Sequence, residues 1–148
     1  MESVLRVNGS GGPVLRHGFA AAVGSVTAAK AAAEGFLGAL AAHRPPAAAH
    51  AAEDVLLVVA ELVTNAVRHA GGRGELRMDL DGGRVRVVVA DRNPSLPRPR
   101  EGRLDGSGGL GWHLMTTLTD SLTVTASPHG KEIHAHVPWS TARSGAGL

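Results

Sequence analysis

The chain has 148 residues, no cysteine and a formal net charge of +2, a size that suits one domain built on a single core. The lack of thiols excludes a disulfide framework and a thiolate metal site, and aromatic residues at 3% with no tyrosine leave a nucleic-acid interface without stacking platforms. No apolar run is long enough to span a membrane, because VLLVVA is bounded by Asp54 and Glu61, and the opening MESVLRVNGSGG lacks the order of a secretory leader; a soluble, cytoplasmic protein is expected.

Residues 1–24 are punctuated by glycine, and only VLRV and GFAAAV in them have the composition of strands. VLRV is the candidate for an edge strand, and GFAAAV is the weaker of the two pieces. SVTAAKAAAEGFLGALAAH follows, with Ser25 as its candidate N-cap and Val26, Ala29, Ala33, Phe36, Leu37 and Leu40 recurring at helical spacing as far as His43. Arg44-Pro45-Pro46 stops that helix. A second helix starts between Ala47 and His50, runs to Ala70 and is closed by Gly71-Gly72. Two alternating runs, ELRMDLD and RVRVVVAD, are joined by Gly82-Gly83 and predict a hairpin. The pattern then fails over NPSLPRPREGRLDGS, a loop of the length typical of lids and binding loops. GGLGWHLMTTLTD resumes as a glycine-led helix, and SLTVTAS with KEIHAHV forms a second hairpin through Pro128-His129-Gly130. The predicted fold is α+β, a two-layer sandwich in which a mostly antiparallel sheet carries its helices on one face. Its domain is expected over residues 25–138, with a flexible tail over 139–148.

Three stretches of this order carry candidate chemistry. Along VLLVVAELVTNAVRHA, which ends in ELVTNAVRHA, a helical wheel gathers Val55, Leu56, Val59, Leu62, Val63, Ala66, Val67 and Ala70 on one arc and sets Glu61, Asn65 and Arg68 opposite. Asn65 offers a neutral oxygen to a magnesium ion that phosphates also hold, and Glu61 offers a base. In DRNP an apolar strand ends in Asp91, which can accept from an amino group such as that of adenine, with Asn93 two residues on. In GSGGLGWHLM the glycines at 106, 108, 109 and 111 let backbone N–H groups approach an anion at a helix N-terminus, beside Leu110. The P-loop pattern GxxxxGK[ST] is absent, so the phosphate site is of another kind.

Taken together and in order, ExxxN on a helix, DxxP at a strand end, a lid and GGLGWHLM resemble the GHKL (Bergerat-fold) ATPases, and in particular the histidine-kinase-like ATPase domains of anti-sigma-factor serine/threonine kinases. ELVTNAVRHA is similar to their N box, DRNP to their G1 box and GLGWHLM to their G2 box, over roughly residues 25 to 138. The resemblance implies ATP and Mg2+ as cofactors, with Asn65 coordinating magnesium, Glu61 as catalytic base and Asp91 on adenine. It also implies that Gly109 and Gly111 belong to a phosphate-facing turn, with Asn93, Gly106, Gly108 and Leu110 in the same binding set. It implies a protein kinase acting on a partner such as an anti-sigma antagonist or a sigma-like regulator, without direct contact to nucleic acid or membrane. The alternative is an ATP-binding adaptor that sequesters its regulator without transferring phosphate. A homodimer is compatible with either. The chain departs from the family pattern after the glycine of the last hairpin, where a threonine often helps to bind adenine and where GKEIHAHV places Glu132. The lid is short and basic, with Arg98, Arg100 and Arg103 as candidate contacts to the triphosphate or the partner. His134 and His136 share a strand face but lack a third ligand for a metal.

Overall fold

In a computed structural model of the chain, residues 3–9, 12–20, 22, 24–69, 73–93 and 109–141 are described. Within them six strands form one sheet: β1 (Ser3–Val7), β2 (Pro13–Phe19), β3 (Gly74–Asp81), β4 (Arg84–Asp91), β5 (Ser121–Ser127) and β6 (Gly130–Pro138). Their order across the sheet is β1-β2-β3-β4-β6-β5, and every neighbouring pair is antiparallel. Helices α1 (Ser25–His43), α2 (Ala51–His69) and α3 (Gly109–Leu118) complete the described elements. This is the expected α+β sandwich, with three helices packed against the sheet.

Period-2 alternation decides which strand residues meet the helices. On β4, Val85, Val87 and Val89 are buried in the core together with Ile133, Ala135 and Val137 of β6. Phe36 and Leu40 of α1 and Val55, Val59 and Leu62 of α2 close over them, each 0% exposed. No helix among the described residues is long and apolar enough to cross a membrane.

Four local expectations change. Pro13–Phe19 is a full strand between β1 and β3, so the chain before residue 24 contributes two strands to the sheet where one edge strand was expected, and GFAAAV joins it only through Gly18 and Phe19. Ser25 is the first residue of α1 and its cap is Gly24, in the left-handed region at φ 91° without a side-chain cap bond; the Ser25 hydroxyl instead donates to the carbonyl of Ala20. Val58 is fully buried although it lies outside the expected apolar arc of α2. Trp139, expected in the flexible tail, is 2% exposed. Its backbone N–H donates to Gly83 O at 2.9 Å and its carbonyl accepts from Ala47 N at 2.7 Å. The indole Nε1 donates to Arg44 O at 2.8 Å, so one residue ties the α1–α2 connection to the far end of the sheet.

Candidate functional site

On α2, Glu61 and Asn65 are half-buried and Arg68 is exposed. Val58 explains the difference from the wheel, since it stands about 20° from Asn65 around an ideal helix and is sealed in the core. The polar face therefore flanks the core at its margin, where a ligand can lie partly out of water. Among the described residues the side chains of Glu61 and Asn65 take no hydrogen-bond or ion-pair partner. α3 packs against α2, and its first turn is made by Gly109, Leu110 and Gly111 with no acidic residue in it. The N–H groups of a first helical turn have no intrahelical acceptor and carry the positive end of the dipole. Gly106 and Gly108, and the lid arginines 98, 100 and 103, lie outside the described residues.

Asp91 ends β4 on the core side of the sheet and is 8% exposed. Its register partners are Gly74 on β3 and Lys131 on β6. The Lys131 ammonium lies 3.1 Å from Asp91 Oδ1 and 3.0 Å from Oδ2, with the two side chains 3% and 2% exposed. The backbone then turns back on the pair: Asn93 N–H donates to Asp91 Oδ1 at 2.8 Å, and Asn93 O accepts from Lys131 Nζ at 3.1 Å. The approach is close enough to require glycine at 130, where φ is 152° and a Cβ would collide with the carbonyl oxygen of Asp91. A cavity of about 350 Å³ opens at this end, lined by Asp91 and Lys131 together with residues of the β5–β6 hairpin.

Glu132 does not take the place beside Asp91. Alternation turns it to the other face of the sheet, where it pairs with Arg77 at 2.8 Å and His134 at 3.0 Å. The hydrogen bond with His134, aided by the charge of Arg77, holds its carboxyl below the usual carboxylate range. Lys131 is the residue that sequence reasoning passed over. The signal was present, because Lys131 shares its parity with Ile133, Ala135 and Val137 in an alternating strand.

No group of three or more metal-ligating side chains exists among the described residues. His134 is engaged with Glu132, and His136 with Asp81 at 3.1 Å. A protein-only metal cage is thus absent from these residues. A single unpartnered amide such as Asn65 suits magnesium that arrives on a nucleotide, since that ion keeps phosphate and water oxygens in most of its coordination shell.

Comparison with known proteins bears on this arrangement. The profile of a family described as histidine kinase-like ATPase domain matches residues 19–136. No curated protein matches the sequence. Among solved structures, the RsbU and RsbW domains of Rv1364c from Mycobacterium tuberculosis share the fold at a TM-score of 0.62 and 19% identity, over 86% of this chain and 32% of that one. The histidine kinase domain of the blue-light activated histidine kinase from Erythrobacter litoralis EL346 shares it at 0.50 and 23% identity, over 78% and 67%. The chain thus covers about a third of the length of the first of these structures and two thirds of the second.

Proposed function

Because the chain belongs to the histidine kinase-like ATPase domain family, we propose that it binds Mg-ATP and transfers the γ-phosphoryl group to a serine or threonine of a regulatory protein in the cytoplasm. The observation that carries this reading is the half-buried Glu61 and Asn65 pair on α2, polar groups at the margin of an apolar core that take no hydrogen-bond or ion-pair partner among the described residues. In this reading Asn65 holds the magnesium ion, Asp91 and Asn93 lie at the base, and the glycine-led start of α3 receives the phosphates through Gly106, Gly108, Gly109, Leu110 and Gly111. The ion, when bound, neutralises phosphate charge. Glu61 stands one helical turn from Asn65, about 6 Å along the same face. It takes the proton of the attacking hydroxyl as that oxygen bonds to the γ-phosphorus and the bridging bond to the β-phosphate breaks. Positioning and charge neutralisation supply most of the acceleration and the base a smaller factor.

The test is nucleotide calorimetry followed by a single-turnover transfer assay with a cognate partner. Asn65→Ala is expected to abolish the magnesium dependence of ATP binding with the fold intact, and equal dependence in both proteins would remove Asn65 from the metal. Glu61→Ala is expected to keep ATP binding and to lose transfer by roughly a hundredfold or more. A wild type that binds both ATP and its partner yet transfers no phosphate would make the protein a sequestering adaptor.

A further inference from the structure

β1 ends the sheet on one side, and among the described residues no strand lies beyond it. All five of its residues are exposed, Val4, Leu5 and Val7 to 41%, 48% and 70%. These are three of the five large apolar side chains that stand exposed among the described residues, so exposed apolar surface gathers at this edge. The opposite edge strand, β5, exposes only threonine, serine and alanine. The helical layer stops short of β1, since α1 packs on β2 and β3. Leu15 of β2 is therefore buried, while Leu5, its register partner on the same face, is left open. We propose that β1 pairs with β1 of a second copy of this chain, antiparallel about a two-fold axis through Leu5, and so joins the two sheets into one. The proposal is independent of the nucleotide reading, whose residues lie on α2, β4 and α3.

The hairpin fixes which backbone groups face outward. Asn8 N–H donates to Gly12 O at 2.7 Å, and Gly12 stands opposite Asn8 when the β1–β2 register is carried on from Val7↔Pro13. Opposed residues in an antiparallel ladder alternate between bonded and non-bonded pairs, so Arg6↔Val14 and Val4↔Arg16 are bonded pairs. Pro13, which has no N–H to give, falls in a non-bonded pair as this pattern requires. Ser3, Leu5 and Val7 then turn their N–H and C=O groups to the open side. Three such residues at alternate positions complement themselves. About an axis through Leu5, the two Leu5 residues meet and each Ser3 meets a Val7, so every outward group is used in about six hydrogen bonds. Charge selects the same register. An axis through Arg6 would set two guanidinium groups directly opposite, and one through Val4 would leave Val7 without a partner among the described residues. With the axis at Leu5, each Arg6 faces a Val4 and covers it with its aliphatic stem. The strand SVLRV has no proline or lysine to guard its edge. A strand of another protein would find the same backbone groups, but the match in length and charge is with the strand itself.

The experiment uses the whole chain. Sedimentation from about 1 to about 200 µM, the range in which an interface at the small end of the size scale assembles, should show a monomer–dimer equilibrium. Leu5→Pro removes an outward N–H without removing a β1–β2 bond, a place where an edge strand accepts proline, and should weaken the dimer at least about tenfold. If Leu5→Pro does not melt cooperatively, Leu5→Lys, which sets two charges opposite, is read in the same way. The chain has no cysteine, so single cysteines report the register. In Leu5→Cys the paired Cα atoms lie about 5.5 Å apart, within disulfide reach, whereas two Val7→Cys positions are offset by about 13 Å along the strands. Under mild oxidation Leu5→Cys should link at least about tenfold faster than Val7→Cys. A wild type that stays monomeric throughout, a dimer undiminished in the Leu5 variants, or equal linking by the two cysteines overturns the proposal.

Discussion

His17 is a histidine in a position the sheet assigns to an apolar side chain. It is 5% exposed between Leu15 and Phe19 on the inward face of β2, and among the described residues neither ring nitrogen has a hydrogen-bond partner. Burial disfavours the imidazolium and lowers its pKa from 6.5. The unfolded chain therefore binds this proton more readily than the folded one, so the contribution of His17 to stability is present above pH 6.5 and is lost as pH falls through the folded value. Thermal melts at pH 7.5 and pH 5 should show a drop for the wild type and a smaller drop for His17→Leu. His134 and His136 sit on the other face with Glu132 and Asp81 and are common to both proteins, so the comparison isolates His17. An equal drop in the two would show that its protonation is not coupled to folding. The same residue accounts for a strand the sequence concealed. In PVLRHGF the inward positions are Pro13, Leu15, His17 and Phe19, and a proline and a polar residue among them erase the alternation by which β2 would have been recognised.

The β5–β6 hairpin is built around one glycine. Gly130 has φ 152°, and a Cβ on it would strike the carbonyl oxygen of Asp91 and lie 2.9 Å from Arg92 Cα. Gly130→Ala should therefore push the start of β6 away from the end of β4, loosen the Asp91–Lys131 contact and cost about 1–3 kcal/mol of stability, with weaker nucleotide binding. Gly82 makes a fair control, since its φ is 67° with nothing within 4 Å of a Cβ, so Gly82→Ala should cost backbone strain but leave binding unchanged. Denaturant titration and nucleotide binding on both variants decide this, and equal binding losses would contradict it. Elements of this kind were the most legible part of the chain. α1 from Ser25 to His43 and both hairpins after residue 73 follow directly from periodicity and turn residues. Less legible were single positions whose residue type argues against their place. Val58 falls on the polar arc of an ideal wheel yet is buried, and Lys131 belongs to a residue type that is almost never fully buried unless paired. Its pairing with Asp91 depends on register across two strands 40 positions apart, which no local pattern displays.

At the scale of the whole molecule, the helical layer and the sheet are closed at one end by Trp139. Removing its side chain by Trp139→Ala should cost about 3–5 kcal/mol, because the cavity is joined by loss of the indole bond that holds Arg44 O and with it the α1–α2 connection. Denaturant unfolding checks this, and a loss under 1 kcal/mol would mean that the connection is anchored elsewhere. The open face of the sheet contributes less, since its ion pairs, such as Arg16–Glu75 and Arg86–Asp79, are partly exposed, and pairs of that kind are worth about 0–1 kcal/mol each. The strand order carries a consequence for synthesis. β6 lies between β4 and β5, although β5 precedes it in the chain. During translation β5 has no edge to join, and the valine-rich β4 keeps one side bare, until residues 130–138 have emerged from the ribosome. A nascent chain stalled before Gly130 therefore presents an unpaired apolar strand edge, which makes the last described strand the one that ends the exposure of this protein to aggregation.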